Sequence, residues 1–72
     1  MGERYWEGSP IGTNDDFGSP IFDEFIDGNT KYGYWAIMTP RSWKIYSYGM
    51  LGTGWGQRYK KQPDGRWLKV EG

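Results

Sequence analysis

Two stretches of this chain have the outline of metal knuckles, yet the chain contains no cysteine and no histidine. The first runs Asn14-Asp15-Asp16-Phe17-Gly18-Ser19-Pro20. The second, Met38-Thr39-Pro40-Arg41-Ser42-Trp43, directly follows the apolar run Tyr34-Trp35-Ala36-Ile37. Each has the two-residue spacing, the Gly or Pro and the adjoining hairpin that a zinc knuckle uses. Without thiolate or imidazole, a structural zinc site of that kind is excluded. Something other than zinc must hold these bends together.

With 72 residues the chain makes one domain, near the size at which a single core is only marginally stable. Domains this small lean on disulfides, a metal or a partner, and the lack of cysteine removes the first. The compensation is aromatic: five Trp, six Tyr and three Phe stand against one Ala, one Val and two Leu. Each buried aromatic takes roughly 150–250 Å² out of water, so a few can replace many aliphatic positions. Twelve Gly and four Pro disfavour long helices and favour turns. No apolar run is long enough for a membrane span and no signal-peptide pattern follows Met1, so the expectation is a cytoplasmic protein without membrane contact. Residues 1–12 are expected to form a loose N-terminal segment.

The zero net charge conceals an asymmetry. Residues 1–30 hold seven acids against Arg4, whereas residues 31–72 hold eight bases against Asp64 and Glu71. A basic half can mark a nucleic-acid surface, but equal and opposite halves in one small domain favour mutual compensation.

The expected elements are two β-hairpins and one short helix, an α+β domain. Ile21–Ile26 reads as a strand, Asp27-Gly28-Asn29-Thr30 as its turn and Lys31–Met38 as the return strand. Large groups on both faces of that return strand suggest a central position. Thr39 and Pro40 supply an N-cap and first helical residue, and Gly49 a C-terminal stop, for a helix over 40–48, with a third strand as the competitor because Ile45, Tyr46 and Tyr48 favour sheets. Gln57–Lys61 and Arg66–Val70 flank Gln62-Pro63-Asp64-Gly65, which has the residues of a tight turn. The glycine-rich run 49–56 lacks a P-loop ending and reads as a linker packed on aromatic faces.

Asp27-Gly28-Asn29-Thr30-Lys31-Tyr32-Gly33-Tyr34-Trp35-Ala36-Ile37-Met38, followed by Gly52-Thr53-Gly54-Trp55-Gly56-Gln57-Arg58-Tyr59, resembles a family of short phage and bacterial proteins similar to zinc ribbons or treble clefs. That family's pattern places Asp-Gly-x-Thr before Gly-Pro-Trp-Ala-x-Met, then Cys-x-x-Cys, Gly-Thr-Gly-x-Gly-Gln-x-Tyr and Asp-Gly-x-Trp. The resemblance covers roughly residues 13–72. It implies a treble-clef or zinc-ribbon-like fold with Asn14, Phe17, Thr39 and Ser42 standing at the four vacated ligand positions. Tyr34 replaces a usual Pro, and Trp43 and Trp55 replace polar or basic positions. Loss of all four ligands together with aromatic gain reads as an engineered or selected metal-free variant, with Phe17 and Trp43 as filler at about 2–3 kcal/mol each when buried.

Catalysis is poorly supplied. Without His or Cys there is no conventional nucleophile system. Asp23 and Glu24, adjacent on a strand, point to opposite faces. Asp15-Asp16 reads as a solvated acidic turn, since its spacing is not that of a calcium loop. No cofactor and no metal is expected, and the chain reads as a non-enzymatic binding or scaffold domain, most simply monomeric. A protein partner ranks first, meeting a patch of Tyr34, Trp43, Tyr46, Tyr48 and Trp55. The alternative is a nucleic-acid-binding accessory protein, with Arg58, Lys60, Lys61, Arg66 and Lys69 on phosphates and Trp55, Tyr59 or Trp67 stacking on bases.

Overall fold

The computed structural model describes residues 2–72. Its elements are β1 (Glu24–Asn29), β2 (Trp35–Met38), α1 (Pro40–Tyr46), β3 (Gly56–Lys61) and β4 (Trp67–Glu71). The strands form one antiparallel sheet in the order β2-β1-β3-β4. With the single helix this is a small α+β domain.

The first hairpin turns later than the Asp-Gly pair suggests. β1 continues through Asp27, Gly28 and Asn29, and the reversal occupies Thr30–Tyr34. There the Thr30 hydroxyl donates to the Tyr34 carbonyl at 2.8 Å, and Gly33, at φ 90°, takes the left-handed conformation. Gly28 serves a different purpose. It faces Gly56 across the β1–β3 ladder, and a Cβ on Gly28 would lie 2.7 Å from the Trp55 carbonyl oxygen. A contact that close excludes any side chain, so Gly28 is there for backbone approach.

β2 is an edge strand, which corrects the central placement expected for it. β1 holds the covered position instead, because β3 pairs along its other side in the register Phe25↔Tyr59. Successive side chains of β1 point to opposite faces, and both Phe25 and Ile26 are fully buried. On one face Phe25 stacks on Tyr59 at 5.0 Å between ring centroids and meets Trp6 and Trp67 edge-on. On the other, α1 packs over β1 and β2, where Ile26, Ala36 and Met38 are buried. Each large side chain so placed contributes about 1.5–3 kcal/mol.

Residues 4–6 pair with β4. The Trp6 amide donates to the Trp67 carbonyl and the Lys69 amide to the Arg4 carbonyl, laying this stretch along the outer edge of β4. Both sheet edges are therefore partly covered, since Asp16 closes on β2: its amide donates to the Ile37 carbonyl (3.0 Å) and its carboxylate accepts from the Ile37 amide (2.8 Å). Such coverage blunts edge-to-edge aggregation.

The helix begins as its sequence dictates, with Thr39 as N-cap accepting from the Ser42 amide and Pro40 opening the first turn. It ends at Tyr46 rather than 48. Ser47 terminates it by donating its hydroxyl back to the Trp43 carbonyl at 2.6 Å and accepting from the Gly49 amide at 3.0 Å. Gly49 does have positive φ, but two residues beyond that cap. The β3–β4 turn matches its sequence: the Gly65 amide donates to the Gln62 carbonyl, and Gly65 has φ 87°.

Candidate functional site

The two knuckles meet, and a carboxylate joins them. Asp15 is only 6% exposed. One of its oxygens accepts from the amides of Phe17 (2.9 Å) and Ser19 (2.8 Å), within its own bend. The other accepts from the Thr39 amide (2.8 Å) and the Thr39 hydroxyl (3.1 Å), in the second bend. The Ser42 hydroxyl lies 3.3 Å from the hydroxyls of both Thr39 and Ser19 and completes the junction. Burial alone would raise the Asp15 pKa, but the Ser42 hydroxyl and the amides of Thr39, Ser19 and Phe17 outweigh it and hold the carboxyl below its ordinary value. A carboxylate that accepts several N–H bonds behaves this way. This overturns the solvated-turn reading for Asp15; Asp16 beside it is exposed.

Of the four positions at which the resemblance would place ligands, Thr39 and Ser42 come together at this junction, whereas Asn14 is exposed and its side chain donates to the Gly18 carbonyl at 3.3 Å. Phe17 and Trp43 are both half-buried, and they do not fill one hole between them. Phe17 stacks on Tyr46, with centroids 4.0 Å apart and planes 11° apart. Trp43 lies under the Arg58 guanidinium, 5.3 Å from ring centroid to Cζ. Packing at the knuckles is thus secondary to hydrogen bonding.

Among the described residues no three Asp or Glu side chains gather in metal-binding geometry. Asp23 lies in the bend before β1, outside the strand expected to hold it, and Glu24 is committed to Arg58 at 2.9 Å. Asp27, half-buried on β1, has its pKa raised by burial and secondarily by the charge of Asp16.

Both arginines of the proposed nucleic-acid set are engaged by carboxylates. Arg58 bonds Glu24 and Glu71 at 2.9 Å each and caps Trp43. Arg66 pairs with Asp64 at 2.8 Å and lies 3.9 Å over the Tyr5 ring. Tyr59 is sandwiched with Phe25 and edge-on to Trp6, so its ring is not presented to a base. Lys61 sits 5.8 Å from the Trp67 ring centroid. Lys60 and Lys61 are exposed, but as neighbours on β3 they point to opposite faces, and Lys69 is half-buried. The cations and aromatics of the nucleic-acid alternative do not form one open stripe.

The aromatic patch is only partly as the sequence suggests, and it extends further. The β1–β2 tip docks on the end of α1 through the Lys31 amide and the Tyr46 carbonyl (2.8 Å). This sets a row of rings: Phe17 on Tyr46, Tyr46 near Tyr32 (6.2 Å), and Tyr32 stacked with Tyr34 (6.0 Å). The glycine run folds into a tight turn over Gly52–Gly56 whose Trp55 carbonyl accepts from the Asn29 amide, at the same end of β1. Trp55 then meets Tyr48 edge-on at 6.0 Å. Tyr34 is 52% and Tyr48 58% exposed, and Tyr32, Trp35, Met50 and Trp55 are exposed with them. Trp43 and Tyr46, by contrast, are half-buried supports. Tyr32, Trp35 and Met50 escape the sequence reading, although alternation along 32–35 at a hairpin tip was a usable signal for the first two.

No protein-family model matches the chain, and neither a curated protein nor a solved structure aligns with it.

Proposed function

We propose that this chain is a small non-enzymatic binding or scaffold domain, an engineered or selected metal-free variant of a zinc-ribbon-like protein, whose partner is another protein. The observation that carries this reading is the exposed aromatic end formed by the β1–β2 tip, the end of α1 and the glycine turn. Trp, Tyr and Met are the residues that protein interfaces enrich, and an exposed apolar patch rimmed by polar groups marks an interaction surface. The metal-free part of the reading is supported by the Asp15–Thr39–Ser42 junction, which ties the two bends with hydrogen bonds at the places where the resemblance puts ligands. Against a nucleic-acid role stands the engagement of Arg58 and Arg66 by carboxylates. Affinity selection of the purified domain against a random dodecapeptide display library tests the proposal. Recovery of peptides that bind the isolated domain at micromolar concentration is expected; failure to enrich any sequence would overturn it.

A further inference from the structure

Apart from the bend that contributes Phe17, with the exposed Asp16 beside it, the segments that build the aromatic end, residues 30–35, 43–50 and 51–56, carry Lys31 and Lys44 and not one acid. Indeed no acidic residue occurs between Asp27 and Asp64. Both lysines are exposed, and among the described residues neither forms an ion pair. Arg58 and Arg66 are paired with Glu24, Glu71 and Asp64, whereas Lys31 and Lys44 at this end have no such partner among the described residues. The best-formed cavities among the described residues are lined by other segments, chiefly the N-terminal stretch, β3, β4 and the cleft beside Phe22 and Arg41. Small ligands need a cavity that buries most of their surface. An end with exposed rings and two exposed lysines instead suits a partner that brings apolar anchors among carboxylates.

We propose, resting on the binding reading above, that this end docks an acidic protein segment, with Tyr34, Tyr48 and Trp55 contacting its apolar side chains and Lys31 and Lys44 facing its carboxylates. Single-stranded nucleic acid would also stack on exposed rings. Two cations would neutralise too few phosphates to hold it at physiological salt, since affinity for a strand depends on the number of phosphates paired. The presence of Met50 beside the edge-on Tyr48–Trp55 pair further favours side chains over bases. Complementary rim charge raises the association rate and rejects partners of like charge.

The test uses two dodecapeptide pools with the same Trp and Leu content, one filled with Asp and Glu, the other with Lys and Arg, titrated against the intact domain by tryptophan fluorescence. The acidic pool is expected to bind about tenfold more tightly. Tyr34→Ser with Tyr48→Ser should weaken it about tenfold or more. Lys31→Glu with Lys44→Glu should abolish or reverse the preference. All four side chains are exposed, and a circular dichroism melt checks that both variants fold. Equal binding of the two pools, or binding indifferent to the Tyr34/Tyr48 variant, overturns the inference. So does an oligonucleotide that displaces the peptide from these residues, or a dimer that the Tyr34/Tyr48 variant abolishes. If the random library still yields binders in those cases, the binding function stands and only the acidic-partner assignment falls.

Discussion

Asp15 and Thr39, which lie in separate bends of the chain, are joined twice: one carboxylate oxygen accepts from both the amide (2.8 Å) and the hydroxyl (3.1 Å) of Thr39. The same Thr39 hydroxyl caps the helix by accepting from the Ser42 amide. One side chain contact thus ties the first bend, the end of β2 and the start of α1 together. In a domain without disulfide, this is the covalent-free counterpart of a staple.

Removing the carboxylate should therefore be costly. Asp15→Ala leaves the Thr39 and Ser19 amides without their acceptor in a buried place, at about 1–3 kcal/mol for each orphaned group less whatever water recovers. A total loss of about 3 kcal/mol in urea denaturation is expected. Asp15→Asn keeps part of the acceptor capacity and should lose less. An Asp15→Ala protein as stable as the parent would show that the junction is not what holds the bends.

Acid should unfold the domain through the same group. Because its folded pKa lies below the ordinary 3.8, the ionised Asp15 contributes stability that is fully present above the unfolded value and is lost as pH falls through the folded one. Asp27 has the opposite sign. Its folded pKa is raised above 3.8 by burial and by Asp16, so its ionisation costs stability once pH rises through the folded value. Asp27→Asn is expected to raise the melting temperature at pH 7 and to have a smaller effect at pH 3, in thermal melts followed by circular dichroism.

Metal removal should change nothing. A chain with neither thiolate nor imidazole, whose knuckles close on Asp15, has no reason to depend on zinc. The melting temperature is expected to be the same with and without chelator, and metal analysis of the purified protein should find no stoichiometric zinc. A drop of several degrees on chelation would point to an oxygen-only site in the first bend.

What could be read from the sequence was local. Thr39-Pro40 starts a helix and Gln62-Pro63-Asp64-Gly65 turns a hairpin because those preferences are set by residues within one turn of each other. The errors concern partners distant in sequence. Asp27-Gly28 has the composition of a turn, but Gly28 answers to Gly56 across the sheet. The order of strands, which makes β2 an edge, depends on where β3 docks. Asp15 looked like any acidic bend residue until Thr39, 24 positions on, was brought against it. The aromatic patch was half legible for the same reason: which rings stay exposed is decided by the docking of the hairpin tip on α1.

Trp43 is a test of packing against a charged lid rather than inside a core. It is half-buried beneath Arg58, which is itself held by Glu24 and Glu71. Full burial would make Trp43→Ala cost about 3–5 kcal/mol; the observed setting should give about 2 kcal/mol. Arg58→Ala with Trp43→Ala in a double-mutant cycle should reveal a coupling of about 0.5–1 kcal/mol, the range for a cation over a ring near the surface. Strict additivity would mean that the guanidinium merely lies nearby.

Gly28→Ala asks whether the sheet centre truly depends on backbone approach. The added methyl would meet the Trp55 carbonyl oxygen at 2.7 Å and the Gly56 Cα at 3.3 Å, both backbone atoms that cannot rotate away. Relief requires β1 and β3 to separate or the glycine turn to shift, and overpacking of that kind costs roughly 1–3 kcal/mol. Gly12→Ala is the control, since nothing lies within 4 Å of its Cβ position. Because the Trp55 carbonyl also holds the Asn29 amide, Gly28→Ala should alter the Trp55 environment as well as stability. Urea denaturation is expected to show a lowered midpoint with unchanged slope, together with a shifted native fluorescence spectrum. An alanine variant with the parent's midpoint and spectrum would mean that the close approach of β1 to the glycine turn is dispensable.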